Sequence, residues 1–278
     1  GLAKYGLDYA SLSQVNPKLI WCSITGFGQT GPYAKRAGYD FLIQAMSGLM
    51  SITGHPDGVP GAEPMKVGVA ISDQICGLYS LSAILTAIIK RDRTGAGEYI
   101  DMALLDTQIA TLANQATNYL VSGTAPTRMG NAHPNVVPYQ VFKTADGHMI
   151  LGIGNDGQFQ RFCAVVGAEH LCNDPRYKTN AGRIVNRETL IPQVAEIVLQ
   201  RTTSDWVSLL ENHAVPCGPI NDIGEVFADP QVAARGLKRV LNSPAAPEVP
   251  QVGNPVKFAS GPTSIGGEIT RLAKALGR

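Results

Sequence analysis

The stretch Gly95-Ala-Gly-Glu-Tyr-Ile-Asp-Met-Ala-Leu-Leu-Asp106 contains a glycine-rich turn, an apolar run and an acid, in that order. The run Glu98–Leu104 predicts a strand, and the apolar spacing that continues to Val121 predicts a helix. An acid at this junction is a natural N-cap, because its carboxylate accepts backbone N–H bonds. The same place favours chemistry. Open α/β sheets bind ligands at the carboxyl ends of strands, and a carboxylate kept ionised at a helix N-terminus can attack an activated acyl group. Asp106 is therefore either a structural cap or a nucleophile.

The segments before this stretch predict more of the same layer. Leu19–Ile24 is an apolar run that predicts a buried strand, and it ends in the turn Thr25–Gly28. Tyr39–Met50 has helical spacing, and Ile71–Arg91 predicts a long helix that the glycines from Gly95 stop. Strand, helix, strand and helix in this order predict an α/β domain with a parallel sheet. Two strands are few for a doubly wound sheet, so we expect an incomplete Rossmann-like domain.

The pattern changes after residue 122, where a smaller α+β domain is predicted. Tyr139–Leu151 alternates around a turn at residues 145–147, which indicates a β-hairpin. Further elements are expected as helices and one short strand near Gln158–Val166, Arg187–Gln200, Ser204–Asn212 and Cys217–Ile220. We predict a large domain over 1–125, a small domain over 126–235, and a C-terminal segment over 236–278 that returns to the large domain.

Composition limits the functional classes. Hydrophobic residues make up 44% of the 278 residues and the net charge is +1, which indicates a globular protein without general attraction for nucleic acid or anionic membrane. The five cysteines are odd in number and form no Cys-x-x-Cys pair, so we expect no disulfide framework, no metal site and a cytoplasmic location. The most apolar stretch, Val67–Ile89, contains Asp73, which favours a helix buried in a globular domain over a membrane span.

Several other residues have both a structural and a functional interpretation. The turn Gly26–Pro32 matches no dinucleotide or P-loop fingerprint, and Arg36 after it is either a phosphate ligand or a surface charge. Gly152–Gly157 is either a mobile flap or a helix entry capped by Asn155 or Asp156. His133 is interpreted as a structural histidine. The residues alone therefore reach only an α/β enzyme with a carboxylate at a strand end.

Taken in order, the motifs resemble one family, the class III CoA-transferases, which includes formyl-CoA transferase and carnitine CoA-transferase. The segments that carry the likeness are Ile24–Tyr33, Arg36–Asp40, Gln44–Met50, Lys66–Val69, Gly95–Asp106, Gly130–Tyr139 and Val215–Ile220. The stretch Asn131–Asn155 is especially similar to the branch with succinate–hydroxymethylglutarate CoA-transferase.

The resemblance implies a mechanism and a set of site residues. The acid matching Asp106 is the family nucleophile, which forms a mixed anhydride, then an aspartyl-CoA thioester, then a second anhydride. Acyl-CoA and a carboxylic acid are substrates, and no permanently bound cofactor is implied. Residues implied to hold CoA are Gln29, Thr30, Gly31 and Arg36, and the implied glycine loop that shields the intermediates comprises Gly152, Gly154, Asn155 and Gly157. The resemblance also implies an interlinked homodimer.

The resemblance leaves two alternatives open. Family members begin with further Rossmann-like strands that are not found before Gly1, so an N-terminal part is expected to be missing and the chain could be an inactive fragment that lacks part of the CoA site. The related α-methylacyl-CoA racemases resemble the chain but carry a histidine where Tyr39 stands. A tyrosine of ordinary pKa is a poor base at neutral pH, which favours the transferase over the racemase. The tail Ser264–Thr270 departs from the usual family ending.

The acceptor is expected to be a dicarboxylic acid, with succinyl-CoA as a plausible donor. A second substrate carboxylate needs a cationic or hydrogen-bonding partner in a dry cleft. Arg128, just before the Gly130–Tyr139 segment, is the first candidate, and Arg161 is the alternative. Either arginine could instead be a plain surface charge.

Overall fold

The chain divides into two compact units, Gly1–Val137 and Pro138–Arg278. The structure is a computed structural model and describes residues 2–243 and 246–261. Much of segment 236–278, which was predicted to return to the first domain, lies outside this described part. The tail Ser264–Thr270 lies outside it entirely. The path of that segment therefore stays a prediction.

The first unit contains two strands and a series of helices. Its strands are β1 Ile20–Thr25 and β2 Glu98–Ala103. Its helices are α1 Tyr9–Val15, α2 Asp40–Met46, α3 Leu49–Ile52, α4 Ile71–Thr94, α5 Leu104–Ala110 and α6 Ala113–Ser122, after a 3-10 turn over Leu2–Tyr5.

The two strands pair in parallel, as the order of elements predicted. The register runs from Ile20 opposite Glu98 to Thr25 opposite Ala103. The entry to β2 depends on Gly97, because a Cβ there would lie 2.0 Å from the Leu19 carbonyl oxygen. The mixed α/β architecture with a parallel pair is therefore confirmed.

Two predicted helices are each broken into two. Gly48, at φ 93°, separates α2 from α3 inside the predicted helix Tyr39–Met50. The predicted helix Asp106–Val121 is likewise α5 followed by α6, and the first residue of α6, Ala113, has φ 49°. In both places a left-handed residue at the junction interrupts the regular helix, although hydrophobic spacing continues across it.

The long helix α4 packs through one narrow face, which corrects the prediction that it is buried. Its buried residues are Ser72, Cys76, Ser80 and Ala87. Its exposed apolar residues include Leu78, Tyr79, Leu81, Leu85 and Ile89. By length and composition it could cross a membrane, and 22% of its apolar 18-residue stretch is buried. An apolar face of this kind is typical of a surface that contacts another polypeptide.

The second unit is built on the predicted hairpin. Strands β3 Tyr139–Lys143 and β4 His148–Gly152 are antiparallel, and β5 Cys217–Pro219 pairs with β4. Helices in this unit are α7 Asp156–Val166, α8 Glu169–Asn173, α9 Asn180–Val185, α10 Arg187–Val198, α11 Thr203–Glu211, α12 Ile223–Ala228 and α13 Pro230–Ala234. A second antiparallel pair, which the sequence pattern did not reveal, is formed by β6 Lys238–Ser243 and β7 Ala246–Val252.

The core of the second unit joins the hairpin to the helices. Met149 and Leu151 on β4, with Phe159 on α7, are almost fully buried. The indole N–H of Trp206 donates to the Val198 carbonyl at 2.6 Å. Arg183 is also fully buried, where it donates to the Asp156 carboxylate at 2.9 Å and lies over the Phe159 ring. Such a guanidinium is stable inside only because its charge is paired.

The parallel pair gives a stability prediction. Gly97→Ala is expected to lower the free energy of unfolding by about 3 kcal/mol, since the new methyl group meets backbone that cannot rotate away. The matched control is Gly77→Ala on α4, where a Cβ meets nothing within 4 Å and should stabilise the helix by about 0.5–1 kcal/mol. Urea unfolding of both variants measures the difference, and equal stabilities would contradict this account of the β2 entry.

Candidate active site

Asp106 is exposed in the first turn of α5, directly after β2. The prediction that it caps this helix is wrong. The helix begins at Leu104, the N-cap residue is Ala103, and no side chain makes a cap hydrogen bond there. The Leu105 N–H instead donates to the Gly26 carbonyl at 3.1 Å, so another segment supplies the partner that a cap would provide. The Asp106 carboxylate is thereby left without a structural hydrogen bond among the described residues.

The turn after β1 is fixed to β2 beside this helix. The Gln29 N–H donates to both carboxylate oxygens of Asp101, at 2.9 and 3.2 Å. Its side-chain amide donates to the Ser23 hydroxyl at 2.7 Å, and Gly28 N–H donates to the Thr25 hydroxyl at 2.9 Å. Asp101 therefore has a structural role, because it holds the turn against β2. The turn and Asp106 lie at the same edge of the parallel pair.

The residues predicted to hold CoA lie on or just after this turn. Gln29, Thr30 and Gly31 are exposed, and Gly31 has φ 82°. Arg36 is exposed too, with its guanidinium carbon 5.5 Å from the Phe27 ring centre and 5.1 Å from that of Tyr33. Stacking of this kind restrains a cation while leaving its N–H groups open to an anion.

A cavity of about 460 Å³ opens beside Gln29. Its walls include Trp21, Ser23 and Tyr99, and the Tyr99 ring lies 5.1 Å from that of Tyr9. The cavity is large enough for part of a small-molecule ligand and has both aromatic and polar walls.

A network of buried polar side chains, which the sequence pattern did not reveal, lies under α5. Gln44, Ser72 and Gln108 are almost fully buried, and each is hydrogen-bonded. The sequence does show that polar residues occupy positions that helical spacing assigns to the apolar face of each helix. This pattern alone does not show which of the buried groups are hydrogen-bond partners.

Arg128 is held by a neighbouring loop. Its guanidinium donates to the Asp57 carboxylate and, at 3.2 Å, to the His55 carbonyl. The Arg128 side chain is 12% exposed and that of Asp57 is 72% exposed. A cavity of about 270 Å³ lies next to this pair and is lined by residues that include Gly54, His55 and Asn131. A ligand carboxylate that reaches Arg128 must displace Asp57 or share the guanidinium with it.

The glycine loop is shorter than predicted. Gly152 is the last residue of β4 and Gly157 lies inside α7, so only residues 153–155 connect the two elements. Asn155 caps α7 by accepting a hydrogen bond from Gln158 N–H at 2.9 Å, which confirms the helix-entry interpretation. Gly154 N–H donates to the Gln158 side chain at 2.7 Å. In the same unit Arg161 is exposed and donates to the Ala214 carbonyl at 3.2 Å.

The other groups considered for chemistry have structural surroundings. His133 accepts the Asn135 N–H through Nδ1 at 3.0 Å. Burial raises the pKa of the Cys163 thiol to about 12, and it also raises the pKa of Cys76 and of Cys217. A protonated thiol is a weak nucleophile at neutral pH, so these three cysteines are poor candidates. Over residues 2–243 and 246–261, no group of three or more His, Cys, Asp or Glu side chains is placed to hold a metal ion.

Comparison with protein-family models gives a match to CoA-transferase family III over residues 1–268. Among curated proteins, succinate–glutarate CoA-transferase of Agrobacterium fabrum is 53% identical over 262 residues, which cover 94% of this chain and 64% of that protein. Human succinyl-CoA:glutarate CoA-transferase is 42% identical over 258 residues, which cover 93% of this chain and 58% of that protein. The chain thus spans less than two thirds of the length of either relative.

Among solved structures, a CAIB/BAIF family protein from Brucella suis is 48% identical with a TM-score of 0.78. The match covers 98% of this chain and 72% of the other. The agreement over nearly all of this chain supports the architecture described above.

The attachment of the turn to Asp101 can be tested without an activity assay. Asp101→Ala removes both acceptors of the Gln29 N–H, so we expect this amide to exchange with deuterium roughly 10–100 times faster, on the scale of one lost charged hydrogen bond. Asp92→Ala is the control, because Asp92 is an exposed ion-pair partner of Arg91 on α4. Unchanged exchange at Gln29 in Asp101→Ala would show that the turn is held by other contacts.

Proposed function

Because the chain belongs to CoA-transferase family III, we propose that it transfers coenzyme A from an acyl-CoA donor to a carboxylic acid acceptor through the carboxylate of Asp106. The observation that carries the proposal is the position of this carboxylate. It is exposed, it has no structural hydrogen bond among the described residues, and it lies at the strand edge beside the turn of Gln29. Ligands of open α/β sheets bind at such edges.

The chemistry is a series of exchanges between a carboxylate and a thiolate. An Asp106 oxygen attacks the thioester carbonyl, the C–S bond breaks, and a mixed anhydride forms with release of the CoA thiolate. That thiolate attacks the aspartyl carbonyl, which gives an aspartyl-CoA thioester and the free donor acid. The acceptor carboxylate then forms the second anhydride and releases the thiolate, which attacks the acceptor carbonyl and restores Asp106. Charge and atoms balance at every step without an added proton or oxidant.

The remaining site residues are proposed in supporting roles. The turn with Gln29, Thr30 and Gly31, together with the stacked Arg36, is proposed to hold CoA, supported by the adjoining cavity of about 460 Å³. The short glycine loop at Gly152–Gly157 is proposed to exclude water from the intermediates. An interlinked homodimer is proposed from the family resemblance, and the exposed apolar face of α4 is compatible with it.

The acceptor is proposed to be a dicarboxylic acid. Support comes from the relatives above, whose names refer to succinate and glutarate, two dicarboxylates. Those names refer to CoA transfer and do not favour the racemase alternative. In the described structure Tyr39 is 77% exposed and precedes α2. Its place where the racemases carry a histidine remains the argument for the transferase. Whether the chain is active or an inactive fragment is decided by the assay below.

Asp106→Asn is predicted to abolish transfer. Asparagine has nearly the same shape but cannot form an anhydride, and the exposed side chain makes no bond among the described residues that the change would break. Folding should therefore remain close to wild type. Wild-type protein incubated with succinyl-CoA should give a hydroxylamine-sensitive adduct on the peptide that contains residue 106, measured by mass spectrometry. Asp92→Asn, a change to an exposed carboxylate on α4 outside the proposed site, should keep the adduct. Full turnover by Asp106→Asn, with deamidation excluded by intact mass, would disprove the proposal.

The ion pair of Arg128 allows two interpretations, which predict opposite effects of removing Asp57 on the Michaelis constant for a diacid. If Arg128 binds the distal carboxylate of a diacid, Asp57 competes with the substrate for a guanidinium that is already mostly desolvated. If the pair only holds the loop of His55 and Asp57 against Arg128, loss of either partner should raise the Michaelis constant equally. If Arg128 is only a surface charge, neither substitution should change the constant.

Arg128→Met is predicted to raise the Michaelis constant for glutarate about 10–100-fold, the scale of one lost charged hydrogen bond, and to leave that for formate unchanged. Asp57→Asn is predicted to lower the constant for glutarate, because the competitor is removed. Arg161→Met serves as the comparison, since Arg161 is the alternative candidate. An equal rise in both Arg128→Met and Asp57→Asn would assign the pair to structure, and preference for formate over every diacid would reject the substrate class.

A further inference from the structure

The buried polar network under α5 connects three helices of the first unit. The Ser72 hydroxyl, near the start of α4, donates to the Gln108 side-chain oxygen at 2.8 Å. The Gln108 amide nitrogen donates to the Thr111 hydroxyl at 2.9 Å, at the end of α5. On the other side, the Ser72 N–H donates to the Asp40 carboxylate of α2 at 2.8 Å. Asp40 also accepts from the Gln44 side chain at 2.7 Å.

The network is costly to bury unless each bond is made. Ser72 is fully buried and Gln108 is 2% exposed. A lost hydrogen bond at such a depth leaves a polar group without water or protein partner, so the geometry of the pair is tightly restrained. Apolar contacts alone would hold α5 against the core but would permit it to rotate or slide, since they have no direction.

Gln108 and Asp106 point to opposite sides of α5. Two residues along an α-helix turn the side-chain direction by about 200°. Gln108 accordingly faces the core and Asp106 faces solvent. Any rotation of the helix that breaks the Ser72–Gln108 bond also moves the Asp106 carboxylate along the surface. The inner bond thereby fixes the direction of the outer side chain.

We infer that Ser72 and Gln108 are positioning residues whose hydrogen bond orients the Asp106 carboxylate for attack on the thioester. The inference rests on the proposed function, because it concerns the geometry of the same nucleophile. Neither residue touches the reacting atoms. Their effect is on the acylation step, in which a displacement of about 1 Å can cost about a hundredfold in rate.

A double-mutant cycle separates positioning from simple stability. Ser72→Ala and Gln108→Met each leave one buried polar group unpaired, so both should lower the urea midpoint of unfolding. The double variant removes both partners, and its midpoint should return toward wild type. If the bond only stabilises the fold, acylation should recover as well. If the bond orients Asp106, acylation should stay low in the double variant.

The measurements are the single-turnover rate of the hydroxylamine-sensitive adduct at residue 106, the Michaelis constant for succinyl-CoA, and deuterium exchange of the α5 amides. We expect the adduct rate to fall about 10–100-fold in both single variants and in the double variant, with the Michaelis constant within about threefold of wild type. Exchange of the α5 amides should rise in all three. Ser82→Ala, which removes an exposed hydroxyl from the same helix α4, should change none of these.

The outcomes distinguish the two levels of the proposal. If wild-type protein forms no adduct at residue 106, the proposed function fails and the positioning role falls with it. If wild-type protein forms the adduct and the double variant forms it at the wild-type rate, the proposed function stands and the positioning role alone is overturned. A low adduct rate in a double variant of restored stability supports it.

Discussion

The parallel pairing of β1 with β2 is the constraint on which the first unit depends. It brings the turn after Thr25 and the helix after Ala103 to one edge, although these segments are far apart in the chain. The Leu105 N–H to Gly26 carbonyl bond continues the pairing beyond the last strand residue. This backbone contact takes the place of a side-chain cap. Among the described residues, the Asp106 carboxylate then has no hydrogen-bond partner.

Close backbone approach makes this edge possible. A Cβ on Gly26 would lie 2.5 Å from the Gly38 Cα, so the two segments can meet only without side chains. Gly38 in turn precedes the helix that carries Asp40 and Gln44. The backbone contact therefore links the strand edge to the buried network that holds α5. The turn and the buried side chains thus both make hydrogen bonds to α5, the helix that carries Asp106.

Local chemistry accounts for the elements that the sequence predicted well. Gly95 ends α4 in the left-handed conformation at φ 75°, and the alternation around residues 145–147 matches the β3–β4 hairpin. The start of α5 was missed because a distant segment decides it, since the Leu105 N–H bonds to the Gly26 carbonyl. The break between α5 and α6 was missed because the apolar pattern continues across it. The order of elements and the acid at the strand end were readable, but the partners of Ser72, Gln108 and Arg128 required the fold.

The long connection between β1 and β2 has a consequence for the order of folding. Gln29 and Asp101 are 72 residues apart in sequence, so their contact closes a large loop. Helix α4 lies within that loop and can form locally, whereas the strand pair gains nothing until the chain ends of the loop meet. We therefore expect the edge with Asp106 to form after α4. Non-local contacts of this kind slow folding, and until they form the apolar strands remain open to association with other chains.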